Sequence, residues 1–208
     1  MPMIKRFGDD AALLVIDVQQ GVDDLVYYGG PTGRRNNPAA EQNMLDLIAA
    51  WRVRGLPIFF SLHDSREQCS PLKLSLPTGA SKPGFEPCPG DGIVTKDVNG
   101  AFIGTDLEIQ LRRAGIRRIA IVGFFTNMCV ETTTRQAGNL GFDTYLGHDG
   151  CAATNRIGLD NVDRDPELVH DMAVANLHGE FCTAVATTDL ASLLTEDRDD
   201  LDRSQGNE

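Results

Sequence analysis

The sequence predicts an α/β fold, a three-layer α/β/α domain whose doubly wound, mostly parallel sheet of six strands carries helices on both faces. Short apolar runs, the pattern of strands buried on both sides, alternate along the chain with segments of helical spacing. Such helices act as right-handed crossovers that return each strand parallel to the last. The chain has no internal repeat and no linker-like stretch, so we expect one domain over residues 1–193 and a frayed acidic tail over 194–208.

The first half of the chain contains three predicted strands and one predicted helix. The strands are the apolar runs "AALLVIDVQ" at 11–19, "LPIFFSLH" at 56–63 and "GIVTK" at 92–96. Asn37 is the expected N-cap of the helix, with Pro38 at its first position and Gly55 at its end. The apolar face of this helix holds residues at helical spacing, Met44, Leu47, Ile48 and Trp51. A segment rich in Pro, Gly and Ser, 64–91, is expected to be a loop that lies over another part of the molecule.

The second half completes the alternation. Thr105 and Glu108 form a capping-box pattern before the helix "DLEIQLRRAG", which Gly115 closes. The remaining strands are predicted at "RRIAIVG", 117–123, "DTYLGHD", 143–149, and "CTAVATT", 182–188. The remaining helices are predicted at 129–141, 166–179 and 189–194.

Composition and charge exclude several classes of function. A net charge of −11 and an isoelectric point near 4.7 give a surface that repels nucleic acid and anionic membranes. The apolar runs are too short to span a bilayer, and the start of the chain lacks the apolar region of a signal peptide. The five cysteines show neither a disulfide framework nor zinc-site spacing, as expected in a reducing compartment. We therefore expect a cytoplasmic protein that acts on a small molecule, with neither nucleic acid nor a membrane as its partner.

Polar and reactive residues follow several of the predicted strands. In open α/β sheets, ligands bind beyond the carboxyl ends of the strands, which selects the candidates Asp17, His63, Asp64, Lys96, Cys129, His148 and Asp149. Asp17 ends a buried run and needs a compensating charge, for which Lys96 is the natural partner. A helix N-terminus and a nearby ammonium would lower the pKa of the Cys129 thiol to about 7 or below. Cys129 is then either an activated nucleophile or a buried packing residue.

Three blocks of the sequence resemble the isochorismatase-like cysteine hydrolases, the superfamily that includes nicotinamidases and N-carbamoylsarcosine amidohydrolases. They are "LLVIDVQ", "VTKDVNGAFIGTDLEIQLR" and "IVGFFTNMCVETTTRQAGNLGF". The resemblance implies a catalytic triad in which Asp17 accepts the thiol proton, Lys96 holds the charges in place and Cys129 attacks a carbonyl. It also implies a cis peptide between Phe124 and Phe125, which would aim the Phe125 and Cys129 N–H groups at a developing oxyanion.

The activity that the resemblance implies is hydrolysis of a C–N bond in a small amide, lactam or ureido compound, through a thioester and without a cofactor. Streptothricin-type lactams, ureidoacrylate-like amides and carbamoyl compounds all stay open. Two alternatives are an isochorismatase-type vinyl-ether hydrolase and a non-catalytic binding module. A metal is not expected, because "SLHDSREQCSPL" lacks the Asp-x-His and second His of nicotinamidases. A homodimer or homotetramer is expected from the family.

The substrate pocket is predicted less sharply than the triad. The residues expected to line it are Gln19, Tyr27, His63, Phe102 and Phe124. The loop "YYGGPTGRRNNP" is either a specificity loop, with Tyr28, Arg34 and Arg35 as further contacts, or a solvated connection. His63 either lines the pocket mouth or has a structural role, and Cys151 is expected to be inert.

Overall fold

Six parallel strands form the central sheet of the protein. The computed structural model describes residues 6–195, and residues 1–5 and 196–208 lie outside the described part. The strands in chain order are β1 Ala11–Ile16, β2 Ile58–His63, β3 Gly92–Lys96, β4 Arg118–Phe124, β5 Asp143–Ala152, the short antiparallel pair β6 Arg156–Ile157 and β7 Asp163–Arg164, and β8 Thr183–Val185. The sheet has the order β3-β2-β1-β4-β5-β8, which confirms the doubly wound parallel sheet. The β6–β7 hairpin was not predicted.

Helices cover both faces of the sheet. They are α1 Leu25–Tyr28, α2 Ala40–Arg54, α3 Leu107–Arg113, α4 Glu131–Asn139, α5 Pro166–Leu177 and α6 Thr187–Ser192. α2 packs with α6 against β5, while α4 packs with α5 on the other side of the sheet. No helix within residues 6–195 has both the length and the apolar character needed to cross a membrane.

The order of the strands reverses between β1 and β4, and this places a crevice at their carboxyl ends. β1 and β4 pair in register up to Ile16 and Gly123. Gly123 has a φ of +134°, and a Cβ atom at this position would overlap the carbonyl oxygen of Ile16. Glycine is therefore required for the close approach of the two strands where the reactive loops leave the sheet.

The predicted helix starts needed correction in three places. Asn37 does not cap α2, because its φ is +45° and its side chain donates to the Cys151 carbonyl at 2.7 Å. The capping box is absent: the Glu108 carboxylate accepts from Arg112, and only the Thr105 hydroxyl caps, accepting from the Leu107 N–H at 3.3 Å. The helix expected from Cys129 is instead a π-helical turn, Thr126–Val130, followed by α4.

The predicted boundary between residues 193 and 194 falls within the described part of the chain. Leu194, expected as the first residue of the tail, is 4% exposed and packs in the hydrophobic core. Residues 196–208 of the predicted tail lie outside the described residues.

Candidate active site

Asp17 lies directly after β1, at the point where the strand order reverses. Its side chain is fully buried, and its φ of +51° turns the backbone out of the extended conformation that β1 requires. One carboxylate oxygen, Oδ1, accepts from the Ser61 hydroxyl at 2.6 Å, and the Asp17 N–H donates to the Ser61 carbonyl. β2 therefore holds the carboxylate in one orientation.

Lys96 neutralises Asp17 from two strands away. Its ammonium lies 2.6 Å from Asp17 Oδ2, and both side chains are almost completely buried. Burial alone would lower the pKa of Lys96, but the charge of Asp17, together with the Cys129 sulfur, raises it above the usual value. Lys96 is therefore a permanent cation, and the predicted partnership of Lys96 with Asp17 is present in the structure.

His63 also contacts the lysine. The Lys96 ammonium donates to His63 Nδ1 at 2.7 Å and to the Val98 carbonyl at 3.1 Å. Burial and the positive charge of Lys96 lower the pKa of His63 below its ordinary value, so the ring is neutral. Because an ammonium has no lone pair to accept with, Nδ1 is the acceptor and the ring proton lies on Nε2.

Cys129 lies in the π-helical turn that follows β4. The peptide bond between Phe124 and Phe125 at the start of this turn is cis. The turn is connected to α5 through the Thr126 hydroxyl, which lies 2.8 Å from His170 Nδ1. The Cys129 sulfur lies 3.7 Å from Asn99 Oδ1 and 3.9 Å from His63 Nδ1. A carboxylate oxygen of Asp17, a ring nitrogen of His63 and this sulfur all lie within 4.8 Å of one another.

The thiol is not activated in the way the sequence predicted. Burial raises the pKa of Cys129 far above its usual value, the charge of Asp17 raises it further, and Lys96 opposes both. The prediction of a pKa near 7 or below was therefore wrong, because desolvation outweighs the ammonium and Cys129 does not open an α-helix. The thiol therefore carries its proton at neutral pH.

The cluster of Asp17, His63 and Cys129 is a poor match for a metal ion. These residues have donor atoms close enough to share one ligand. The Lys96 ammonium, however, lies within 2.7 Å of the Asp17 carboxylate and of the His63 ring, where it supplies the positive charge that a metal would bring. A divalent ion in contact with the same two atoms would face strong repulsion from Lys96.

A cavity of about 330 Å³ opens over the Cys129 sulfur. Its walls come from five parts of the chain: the segment at α1, the loop after β2, the loop after β3, the turn after β4 and the β6–β7 hairpin. The lining residues are Tyr27, Tyr28, His63, Ser65, Glu67, Ser70, Leu72, Asn99, Phe124, Phe125, Met128, Cys129 and Arg156. The volume lies at the lower end of the range for ligand sites, so the cavity suits a small molecule.

Three of the five predicted pocket residues, Tyr27, His63 and Phe124, line this cavity, and two do not. Gln19 is buried beside the end of β2, where its amide accepts from the His63 N–H at 2.8 Å and donates to the His63 carbonyl at 3.1 Å. It therefore positions His63 rather than touching the cavity. Phe102 stacks on Phe142, with ring centroids 6.0 Å apart.

The arginines of the 27–38 loop also point elsewhere. Arg34 pairs with Glu167, and Arg35 pairs with Glu41 and lies over the ring of Phe124, behind the cavity wall. The tyrosines of the same loop do reach the cavity, and the Tyr28 ring lies 4.8 Å from the Phe125 ring. Cys151 is buried and donates to the Gly147 carbonyl, away from the cavity.

Sequence reasoning missed several lining residues. Asn99 lies three residues after Lys96, in the block "VTKDVNGAFIGTDLEIQLR", so its position near Lys96 and Cys129 could have been inferred from the lysine. Ser65 and Ser70 belong to the long segment that was expected to lie over something, and they form a polar wall. Arg156 belongs to a hairpin of two-residue strands, which has no periodic signal in the sequence.

Known proteins with similar sequences and folds share one family. The Isochorismatase domain model matches residues 11–189. The uncharacterized isochorismatase family protein YrdC of Bacillus subtilis is 37% identical over 179 residues, which cover 86% of this chain and 93% of YrdC. A crystal structure of an isochorismatase-family protein from Chromobacterium violaceum is 42% identical, with a TM-score of 0.85, and covers 93% of this chain and 98% of its own.

More distant relatives include named amidohydrolases. Nicotinamidase 3 of Arabidopsis thaliana is 28% identical and covers 84% of both chains. The ureidoacrylate amidohydrolase RutB of Agrobacterium fabrum is 29% identical over 54% of this chain and 45% of its own. The length of the domain match, together with the identity to YrdC and to the Chromobacterium protein, shows that the chain belongs to the isochorismatase family of hydrolases.

Proposed function

We propose that this protein hydrolyses a C–N bond of a small amide, lactam or ureido compound, with Cys129 as the nucleophile and a thioester as the intermediate. The observation that carries the proposal is the arrangement of a cysteine sulfur at a small cavity with a buried carboxylate and a buried ammonium beside it. A cysteine that only packs needs neither charge. A buried ion pair often stabilises a fold no more than apolar residues of the same size would, so its position beside the sulfur favours a role in function. Cys151, by comparison, is buried, and no charged side chain within residues 6–195 forms a hydrogen bond with it.

Asp17 acts as the base in the first step. The thiol proton passes to the carboxylate as the Cys129 sulfur bonds to the substrate carbonyl carbon, and the C=O π pair moves to oxygen. Coupling the two events follows from the raised pKa of the thiol, since a free thiolate in this buried site is unfavourable. Lys96 keeps a positive charge beside the reacting groups throughout.

The oxyanion is proposed to accept hydrogen bonds from the N–H groups of Phe125 and Cys129. Both belong to the turn after β4, and both residues line the cavity. Donors placed for a developing negative charge contribute about 3 kcal/mol each to transition-state stabilisation.

The remaining steps regenerate the thiol. The tetrahedral intermediate collapses, the C–N bond breaks, and Asp17 returns its proton to the leaving nitrogen. Water then attacks the thioester carbonyl and gives one proton to Asp17. As the acid product forms, the C–S bond breaks, and the Cys129 sulfur takes this proton back from Asp17. The neutral His63 ring holds the Lys96 ammonium in place by accepting its hydrogen bond at Nδ1. A protonated ring would repel the ammonium instead.

The test is ammonia or amine release from a panel of small amides, lactams and ureido compounds. Cys129→Ala should lower turnover at least about 10³-fold while the circular dichroism spectrum and melting temperature stay close to those of the parent protein. Cys151→Ala is the matched control, since it removes a buried thiol outside the cavity and should leave turnover within about twofold.

Acid quenching during turnover adds a direct readout. Mass spectrometry should detect the acyl group of the substrate on the peptide that contains Cys129. Turnover that survives in Cys129→Ala, or an acyl group on another residue, would contradict the proposal. Added chelator should not change the rate, because Lys96 takes the place of a metal beside Asp17 and His63.

A further inference from the structure

Arg156 is a cation at the rim of the cavity without a carboxylate partner. Within residues 6–195, no aspartate or glutamate side chain pairs with it, although the protein carries a net charge of −11. The other arginines around it are neutralised. Arg34 donates two hydrogen bonds to Glu167 at 2.6 and 2.7 Å, and Arg164, on the facing strand of the same hairpin, contacts Asp160 at 2.7 Å.

The carboxylates that line the same hollows as Arg156 do not supply this partner. Arg156 also borders a hollow that contains Glu131, but Glu131 accepts from Arg135 at 2.7 Å. Glu67 lines the cavity from the loop after β2, and its carboxylate has no ion pair with a described residue. A negatively charged ligand would be repelled from the Glu67 side of the cavity and attracted to the Arg156 side.

The backbone that carries Arg156 is firmly anchored. Thr154 and Asn155, the two residues before it, are buried. The Thr154 hydroxyl donates to the Tyr28 carbonyl at 2.9 Å, and the Asn155 amide donates to both oxygens of Asp163 at 2.8 and 2.9 Å. The first bond joins this stretch to the segment that carries Tyr28, and the other two join it to β7, so the arginine projects from a supported rim rather than from a loose surface loop.

We propose that Arg156 binds a carboxylate on the substrate, so that the compound cleaved at Cys129 is a small amido or ureido acid. This inference rests on the proposed function. A guanidinium presents two parallel N–H groups that match the two oxygens of a carboxylate, a geometry that also orients the ligand. In a cavity of about 330 Å³, an anion held at the rim leaves room for only a short chain between the carboxylate and the carbonyl that reaches the sulfur.

The test compares matched pairs of compounds, each a carboxylic acid and its neutral amide, and follows cleavage of the bond that both members share. Succinamate, glutaramate and 3-ureidopropanoate are each compared with the neutral amide of the same acid, and kcat/KM is measured for the wild-type protein. The acids should be preferred by about 10- to 100-fold, the contribution of a charge-assisted hydrogen-bond pair. Arg156→Gln should bring the ratio of acid to neutral amide close to one, mainly through KM, and Arg156→Lys should restore part of it.

Arg164→Gln is the control, because it removes a guanidinium from the same hairpin but outside the cavity lining. It should keep the wild-type ratio. Equal rates on acids and neutral amides in the wild type, or an Arg156→Gln variant that retains the preference for acids, would overturn the carboxylate site while leaving Cys129 chemistry intact. Turnover that persists in Cys129→Ala would overturn the proposed function instead.

A binding measurement covers the case in which none of the compounds is turned over. Calorimetric titration of Cys129→Ala with the same pairs should give tighter binding of the acids, and this difference should disappear in the Cys129→Ala/Arg156→Gln double variant. Binding of acids and neutral amides with equal affinity, or of neither, overturns the proposal.

Discussion

Replacing Lys96 by methionine tests the electrostatic core of the site. Methionine has nearly the length of lysine and is apolar, so Lys96→Met removes the charge and leaves most of the packing. The Asp17 carboxylate would then remain buried with the Ser61 hydroxyl as its one strong side-chain donor among the described residues. The loss in the free energy of unfolding of this variant measures the cost of leaving the buried Asp17 charge unpaired.

The distance and the burial set the magnitude. Coulomb's law with an effective dielectric constant of about 20 gives an attraction of about 6 kcal/mol at the 2.6 Å separation of Lys96 Nζ and Asp17 Oδ2. Desolvation of the two ions offsets much of this attraction in the intact pair. Removing one partner leaves the other desolvated without compensation, so we expect Lys96→Met to lower the free energy of unfolding by about 3 to 5 kcal/mol.

The measurement is a double-mutant cycle by urea unfolding at neutral pH. Asp17→Asn, Lys96→Met and the double variant are compared with the parent protein, and the double variant should be more stable than the sum of the single changes predicts. Arg66→Met is the control. Arg66 lies 2.7 Å from Asp97, but the two side chains are 70% and 47% exposed, so its loss should cost less than about 1 kcal/mol.

Two results would refute this reasoning. One is a Lys96→Met variant that loses less than about 1 kcal/mol, no more than the exposed control. The other is a coupling energy near zero in the cycle. Either would mean that the carboxylate and the ammonium do not depend on each other in the folded protein.

The remaining predictions concern pH, backbone geometry and thiol reactivity. Burial and the charge of Lys96 lower the pKa of His63, so below pH 6.5, about the ordinary pKa of histidine, the unfolded chain binds a proton that the folded protein does not. The free energy of unfolding should therefore fall as the pH drops from about 7 to 5, and it should fall less steeply in His63→Gln. The same slope in the variant and the parent protein would contradict a buried neutral ring. Gly123→Ala should destabilise the protein by about 3 kcal/mol or more in urea unfolding, against about 1 kcal/mol for Gly141→Ala, which also has a positive φ but open space around it. Iodoacetamide followed by peptide mapping should modify the exposed Cys69 and Cys88 before the buried Cys129, and modification of Cys129 first would restore the lowered pKa that the sequence suggested.

The family resemblance predicted which side chains lie close together, because these residues stand at the ends of strands. Asp17 and Cys129 follow β1 and β4, Lys96 is the last residue of β3, and the carboxyl ends of such parallel strands share one edge. The alternation of buried runs with helical spacing was enough to predict that edge, since strands buried on both faces have a nearly continuous apolar pattern. For the same reason all six strands of the central sheet were located close to their observed positions.

The predictions for Asn37 and Gln19 were wrong because hydrogen-bond partners far away in the sequence compete for these side chains. Asn37 has the residue type of an N-cap, but the carbonyl of Cys151, 114 positions away, takes its side chain. Gln19 lies near the triad in sequence, yet its amide is used by the backbone of His63. Local propensity cannot anticipate such contacts, because they exist only after the chain has folded.

What the sequence determined by itself is the sheet and, through the resemblance, which three side chains meet at its edge. The tertiary structure decided the protonation of the thiol and the shape of the cavity. Both depend on desolvation, and desolvation is a property of everything packed around a group rather than of its neighbours along the chain. For the same reason Arg156 could not be predicted. Its charge is ordinary in the sequence, and it becomes informative only because the fold places it at a cavity with no ion-pair partner among residues 6–195.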